Sequence, residues 1–225
     1  MRPGLLTCLF FCALSAAAAP FAVQLGDTRI GLDAPPGFAD TSFTGSPRLQ
    51  ELGEALTSAS NRILLFAISD ADLRRFSQGD TPDLRRYMIA VTPKGLERER
   101  VTTAMFGTFV SDSLHELDAV AQAEADYRTY LDSKPHGQLS MLAELRRDPE
   151  IVSVLEGTRL PSPPRGIFSA EKPAQYGLTS TTLLLLRGKA INLQVYTVYD
   201  TPADLDWIRA NTVRWIDELR RLNTR

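Results

Sequence analysis

The chain is poor in the residues that usually carry catalysis or crosslinks. Of its 225 residues only two are cysteines, two are histidines and two are tryptophans, and the 25 basic residues include only four lysines. Cys8 and Cys12 both lie near the start, so the rest of the chain cannot form a disulfide. We therefore expect the folded part to be held together by burial of apolar surface alone.

The chain also lacks a large excess of either charge. Its 25 basic and 27 acidic residues give a formal net charge of −2, whereas general nucleic-acid-binding proteins show a basic excess, so no nucleic-acid partner is expected. Apolar residues make up 44% and charged residues 23%. This is the composition of a globular protein, and it excludes collagen-like, low-complexity and wholly disordered chains.

Residues 1–19 are predicted to be a signal peptide. Arg2 supplies a positive start, residues 5–14 are almost entirely apolar, and residues 15–19 are small, which favours cleavage after Ala18. The alternative is an uncleaved membrane anchor, but the apolar stretch of about 15 residues is shorter than the roughly 20 that a membrane-spanning helix needs. We expect a periplasmic or secreted protein with no membrane span after cleavage.

Apolar spacing and turn residues predict the order of the elements after the leader. Residues 151–155 are ambiguous between helix and strand, and residues 167–170 are expected to form a short strand. The remaining strands are predicted at 21–25, 28–32, 62–69, 87–91, 176–186 and 190–199, and helices at 47–57, 70–78, 102–131, 139–147 and 202–222.

The predicted fold class is α+β, a three-layer α/β/α sandwich around a mostly antiparallel sheet. Consecutive hairpins favour antiparallel pairing. Residues 63–68 and 183–186 are apolar without a polar break, as in strands that are covered on both faces. Residues 20–225 are therefore expected to form a single domain, with helices packed above and below the sheet.

Two parts of the chain resemble the PsbP-like family, the extrinsic photosystem II subunits and their relatives. The first is the opening hairpin around Gly26 and Asp27 with residues 35–38 after it, and the second is the closing strand 195–199. The closing part also includes the turn at 187–189 and, in the last helix, Asp204, Trp207 and Trp215.

The resemblance to the PsbP-like family implies a sheet sandwich used for assembly or binding, with no shared catalytic residues. Residues 118–165 have no counterpart in the family and are expected to be a partly helical insertion. The resemblance is therefore carried by the two ends of the folded chain.

A search for catalytic and metal-binding motifs finds only fragments. His115 begins a zinc-protease-like sequence, but Ala119 stands where the second histidine ligand is required. Ser169 and Lys172 match Ser-x-x-Lys without the companion motifs of penicillin-binding enzymes. We therefore predict no catalytic residues, no metal site and no cofactor, and we do not expect an enzyme.

Several charged residues occur in pairs. The carboxylate pairs at 70–72 and 204–206 are interpreted as helix N-termini, where negative charge is favourable, and not as calcium ligands. The arginine pairs at 74–75, 85–86 and 146–147 are interpreted as part of a mixed solvated surface. Only if these arginines gathered in space would they indicate an anionic partner.

Four residues are candidate binding residues. Asn192, Gln194 and Tyr196 share the polar side of an otherwise apolar strand, so they either line a cleft or hydrogen-bond to a neighbouring helix or loop. Trp207 lies away from the apolar stripe of the last helix. It either anchors a partner or packs against a loop at the start of that helix.

These observations predict a non-catalytic exported protein that binds a protein partner or assists assembly at the cell envelope. An envelope protein is the expected partner. The alternative is a small-ligand-binding exported protein that uses a cleft at the polar strand face. A third hypothesis is an enzyme of unfamiliar type built from carboxylates with tyrosine or arginine.

Overall fold

The computed structural model describes residues 20–114, 127–161 and 174–224. Within these ranges the chain forms an α+β structure with two short 3₁₀ turns, Thr41–Thr44 and Lys94–Leu96. The strands are β1 Phe21–Leu25, β2 Thr28–Leu32, β3 Phe38–Asp40, β4 Asn61–Ser69, β5 Arg86–Pro93, β6 Ser140–Asp148, β7 Ile151–Arg159, β8 Tyr176–Leu186 and β9 Lys189–Val198, and the helices are α1 Pro47–Ala55, α2 Asp70–Ser77, α3 Thr103–Leu114, α4 Tyr127–Asp132 and α5 Pro202–Asn223.

Seven strands form one antiparallel sheet in the order β3-β4-β5-β9-β8-β7-β6, and β1 and β2 form a separate hairpin. The last strand in sequence, β9, therefore lies at the centre of the sheet. The tight turn that joins β8 to β9 has positive φ angles at Arg187 (52°) and Gly188 (78°). Positive φ at both central residues is the geometry that matches the twist of a two-residue hairpin.

One face of the sheet is covered by α5, α4 and the β1–β2 hairpin. Trp215 of α5 is 1% exposed, and its indole Nε1 donates a hydrogen bond to the backbone oxygen of Asp33 at 2.9 Å. At the end of α5, the side-chain amide of Asn223 bonds to both backbone groups of Gly31 at 2.9 Å. These contacts attach the hairpin to the helix.

The opposite face is covered by two separate groups of helices. Helices α1 and α2 lie over β4 and β5, where Phe66 packs against Gly53. Helix α3 lies over β7 and β8, where Phe106 belongs to a cluster with Val152 and Leu183. Helices therefore cover both faces of a mostly antiparallel sheet, which confirms the predicted fold class.

The predicted helix starts are confirmed by side-chain caps. Ser46 accepts a hydrogen bond from the backbone of Leu49, and Pro47 occupies the first turn of α1. At α2, Asp72 accepts from the hydroxyl of Ser69. At α5, the Asp204 carboxylate accepts from the backbone N–H of Thr201 at 2.9 Å. Asp70, Asp72 and Asp204 thus lie in first turns of helices as expected, whereas Asp206 lies beyond the first turn of α5.

The prediction of a helix over residues 139–147 is wrong, because this segment is strand β6 and is followed by β7. Leu139, Leu142 and Leu145 are three residues apart, a spacing that favours a helix. In the sheet this spacing is accommodated by two irregularities in the β6–β7 register, which change the side-chain alternation. The segment predicted as a partly helical insertion thus supplies α4 and two strands of the main sheet.

Several predictions fall outside the described residues. They are the signal peptide at 1–19, the middle of the long helix predicted over 102–131, and the short strand at 167–170. Within the predicted range 102–131, the structure describes α3 as far as Leu114 and α4 from Tyr127.

A buried hydroxyl pair joins α5 to the sheet and generates a stability prediction. Thr212 donates to the backbone oxygen of Ile208 at 2.7 Å and is hydrogen-bonded to the hydroxyl of Ser180. We expect Thr212→Val to lower the free energy of unfolding by about 1–3 kcal/mol, because the Ser180 hydroxyl is left buried without a partner. Urea denaturation followed by tryptophan fluorescence measures this change.

The double variant Ser180→Ala/Thr212→Val is the matched control. Because it removes both partners, we expect it to be more stable than Thr212→Val alone. Equal stability of these two variants would contradict the assigned hydrogen bond.

Candidate functional site

The predicted polar residues lie on the face of the sheet that α1, α2 and α3 cover. They occupy its centre, between the apolar cluster under α1 and α2 and the apolar cluster under α3. Asn192, Gln194 and Tyr196 alternate along β9 with the buried Ile191, Leu193 and Val195, as expected from the sequence. Strand pairing adds residues of β8 and β7 to the same face. We call the resulting set the polar strip: Glu156, Thr179, Thr181, Asn192, Gln194 and Tyr196.

Stacked aromatic rings form one end of the polar strip. The rings of Tyr196 and Tyr87 stack with centroids 4.8 Å apart and an angle of 18° between their planes. A Cβ atom at Gly177 would lie 3.0 Å from the Tyr196 ring, so the ring depends on a glycine beneath it. Burial raises the pKa of both phenols, that of Tyr87 to about 12 with a contribution from Tyr196.

Glu156 is the buried acid of the polar strip. It is 6% exposed, and its carboxylate accepts a hydrogen bond from the hydroxyl of Thr181. Burial raises the pKa of Glu156 above its ordinary value, and the hydrogen bond from Thr181 only partly offsets this. Glu156 was not predicted as a site residue, although its position directly after the mostly apolar residues 151–155 was a usable signal.

The amides of the polar strip contain an unsatisfied acceptor. The Oδ1 atom of Asn192 is buried and has no hydrogen-bond partner in the described parts of the chain, and the same holds for Oγ1 of Thr158, two residues beyond Glu156 on β7. Such groups are costly to leave unpaired. The strip thus offers acceptors and hydroxyls to a ligand, but it lines neither of the two cavities described below.

Trp207 is separate from the polar strip and packs within the protein. Its ring lies 5.9 Å from that of Phe38, and the Arg86 guanidinium lies 4.3 Å from its centroid. Arg86 also forms an ion pair with Asp204 at 2.7 Å. Burial raises the pKa of Asp204, but hydrogen bonds from Arg86 and from backbone N–H groups outweigh it and keep the pKa below its usual value.

A groove of about 760 Å³ runs beside β4 and was not predicted from the sequence. Its floor is formed by residues 61–66 of β4, and its walls by α1, the Thr41–Thr44 turn and Lys94. Strand β3 pairs with β4 only at residues 67–69. We call this cavity the β4 groove.

The edge of β4 in this groove has unpaired backbone. Among the described residues, no strand lies beside residues 61–66 on the β3 side. The backbone N–H of Asp70 donates to the oxygen of Gly37 at 3.0 Å on that side. Because strand backbone groups alternate in direction, those of Phe66 point toward the same open side.

The arginine pairs do not gather into one patch. Arg85 pairs with Asp200 and Arg86 with Asp204. On β6, Arg147 pairs with Glu144 at 2.6 Å, and Arg146 pairs with aspartates 148 and 217. Arginines 74 and 75 lie in the last turn of α2. These pairs therefore belong to a mixed surface, as expected.

The other motif fragments do not form a reactive site in the described residues. His136 is exposed in a loop, while His115, Ser169 and Lys172 lie outside the described ranges. Within those ranges, no group of three or more histidine, cysteine, aspartate or glutamate side chains is placed to hold a metal ion. None of the described helices has the length and apolar character needed to cross a membrane.

No protein-family model and no curated protein matches the chain. Among solved structures it is similar to the Ran-binding protein Mog1p of Saccharomyces cerevisiae, with a TM-score of 0.39 and 14% identity over 91% of this chain and 94% of that chain. A mutant of Mog1 has a TM-score of 0.39 and 15% identity, over 91% of this chain and 95% of that chain. Likeness at this level carries no argument about function, and the resemblance to the PsbP-like family stays a prediction.

The buried Glu156 generates a pH prediction. Burial raises the pKa of Glu156 in the folded protein, so folding disfavours its ionised form. Below the unfolded pKa of about 4.3 the protonated side chain costs no stability on this account, and stability is lost as pH rises through the folded pKa. We expect Glu156→Gln to be more stable than the original protein at pH 7, with the difference shrinking toward pH 4. Urea denaturation at both pH values measures it.

Glu150, an exposed carboxylate in the turn between β6 and β7, provides the control for this experiment. Glu150→Gln removes the charge of a glutamate that is not buried. If the two variants changed equally with pH, burial of Glu156 would not be the cause.

Proposed function

We propose that this chain is a non-catalytic, exported protein-binding domain, and that it binds its partner through the β4 groove. The observation that carries the proposal is the edge of β4 at residues 61–66, beside which no strand lies among the described residues. Residues 61–63 are partly exposed there, whereas residues 64–66 are at most 6% exposed. An exposed strand edge is a template for another strand, and many peptide-binding domains use it in this way. The opposite edge strand, β6, carries charged residues at 144 and 146–148, which discourage such pairing.

The N-terminal sequence supports export, and the absence of cysteine after residue 12 is compatible with a protein that folds without disulfides in that compartment. On this proposal the partner is an envelope or extracellular protein, and the site of action is the periplasm or the medium. Descent from the PsbP-like family is part of the same proposal, and it rests on the residues of the opening hairpin and the closing strand.

A substitution that fills the β4 groove should prevent binding. Gln50 is exposed on α1 and lines the groove, whereas the adjacent Glu51 is exposed but does not line it. We expect peptides that are selected from a random phage-displayed library on the exported protein to bind Gln50→Trp at least about tenfold more weakly, a loss of about 1.4 kcal/mol. Fluorescence anisotropy of the labelled peptides measures the affinities.

Glu51→Trp is the matched control and should retain the original affinity. It places the same bulky side chain one residue away on the same helix. Failure to select any peptide, or equal affinity for both variants, would count against the β4 groove as the binding site.

A second candidate function is small-ligand binding at the polar strip, and the unpaired acceptor of Asn192 is the observation that favours it. A ligand that binds only the folded state raises the melting temperature. We expect a stabilising metabolite or envelope fragment to lose its effect in Gln194→Ala and to keep it in Gln50→Ala, which removes a glutamine far from the strip. A thermal-shift screen without any stabilising compound would argue against this candidate.

A further inference from the structure

Four exposed arginines from three different segments meet at the end of the sheet where β9 begins. The Arg187 guanidinium donates to the backbone oxygen of Arg29 at 3.4 Å, and a side chain at Gly188 would lie 3.1 Å from Cγ of Arg100. A side chain at Gly26 would lie 3.1 Å from Cα of Arg98. We call this set the arginine surface: Arg29, Arg98, Arg100 and Arg187.

The charges of the arginine surface are not neutralised within the described residues. None of the four arginines forms an ion pair there, in contrast to the arginines of β5 and β6. Three acids lie nearby. Glu97 pairs with Arg62, Asp27 lies 3.6 Å from the ammonium of Lys189, and the exposed Glu99, between Arg98 and Arg100 in the chain, leaves the four arginines in excess. The surface therefore retains positive charge that can attract an anionic group.

The loop that carries Arg98 and Arg100 is held by a buried lysine. Lys189 is 1% exposed, and its Nζ donates to the backbone oxygens of Glu97 at 3.3 Å and Glu99 at 2.8 Å. The backbone N–H of Val101 also donates to the oxygen of Gly188 at 2.8 Å. The two arginines thus project from a segment that is already ordered, which lowers the entropy cost of binding.

The arginine surface is continuous with the β4 groove. A second cavity of about 490 Å³ is lined by the cations Arg62, Lys94 and Arg98 together with the carboxylates Glu97 and Glu99, and it shares Arg62 and Lys94 with the groove. A chain lying along β4 therefore leaves the groove at its positively charged end. Lys94 adds a further exposed cation there, since among the described residues its Nζ donates to the backbone oxygen of Ala59 and forms no ion pair.

Strand direction decides which end of a bound segment reaches the arginines. Strand β3 is antiparallel to β4, and we take the bound segment to run in the same direction as β3. Its C-terminal end then lies beside Asn61, which pairs with Pro93 next to Lys94. Acidic residues that follow the paired segment would meet Lys94, Arg98 and the rest of the arginine surface.

We propose that the β4 groove binds an extended partner segment of about six residues that is followed, on its C-terminal side, by acidic residues held by the arginine surface. This inference rests on the proposed function, because it specifies the partner segment of the same groove. The backbone edge of β4 provides affinity for any extended segment. The arginines add affinity for a segment that carries acidic residues, and they favour the direction that places those residues at the arginine surface.

Labelled synthetic peptides test the inference. The probe is an alternating threonine–valine segment followed by a run of glutamates, and its two matched peptides carry the glutamates before the segment or carry glutamines after it. We expect the first peptide to bind about tenfold more tightly than the other two, with the advantage lost at about 300 mM salt. Fluorescence anisotropy with the full exported protein measures all three affinities.

Protein variants separate the arginine surface from the groove. Arg98→Ala/Arg100→Ala should remove the preference for the acidic peptide, while Arg74→Ala/Arg75→Ala, which removes two exposed arginines from α2, should leave it intact. Gln50→Trp should weaken binding of every peptide. These three results together would support the inference.

The opposing outcomes are distinguishable. If all three peptides bind equally and Gln50→Trp still blocks them, the acidic preference is wrong and the proposed function stands. If the acidic peptide binds regardless of Gln50→Trp, the arginines act without the groove and the inference is overturned. If no peptide binds at any salt concentration, the inference fails, and the library selection decides separately on the proposed function.

Discussion

The segment from β3 to α1 packs against both the edge and the face of strand β4. Residues 38–40 pair with the end of β4, but the chain then turns away through Thr41–Thr44 and forms α1, which covers Phe66 and Ile63. The apolar face of β4 must be covered, because exposing it would cost more than leaving a few backbone groups to water. Since one segment cannot lie along the edge and over the face at the same point, the edge of β4 remains open.

The end of the sheet beside this open edge is organised by another constraint, the burial of Lys189. A buried ammonium group must find acceptors, and here backbone oxygens of the loop at 97–99 supply them. Satisfying Lys189 therefore fixes the loop that presents Arg98 and Arg100. The need to hydrogen-bond a buried lysine thus determines where two surface arginines lie, next to the end of the β4 groove.

Most of the secondary structure could be predicted from local patterns, and the exceptions have physical causes. The Ser46–Pro47 start of α1 and the turn after β8 depend on caps and φ angles, which are properties of neighbouring residues. Strand β6 was predicted as a helix because register irregularities give it a spacing typical of helices. The polar side of β9 was predicted correctly, but Glu156 joins it only through strand pairing.

The sequence by itself determined the alternation of β9, the helix starts and the apolar strands that require cover on both faces. These follow from interactions between residues close in the chain, or from the general cost of exposing apolar surface. Only the tertiary structure decided that β3 stops after three pairs, and that arginines from distant segments meet beside the same groove. Strand order and strand length at a sheet edge depend on long-range packing, and no local pattern of residues carries that information.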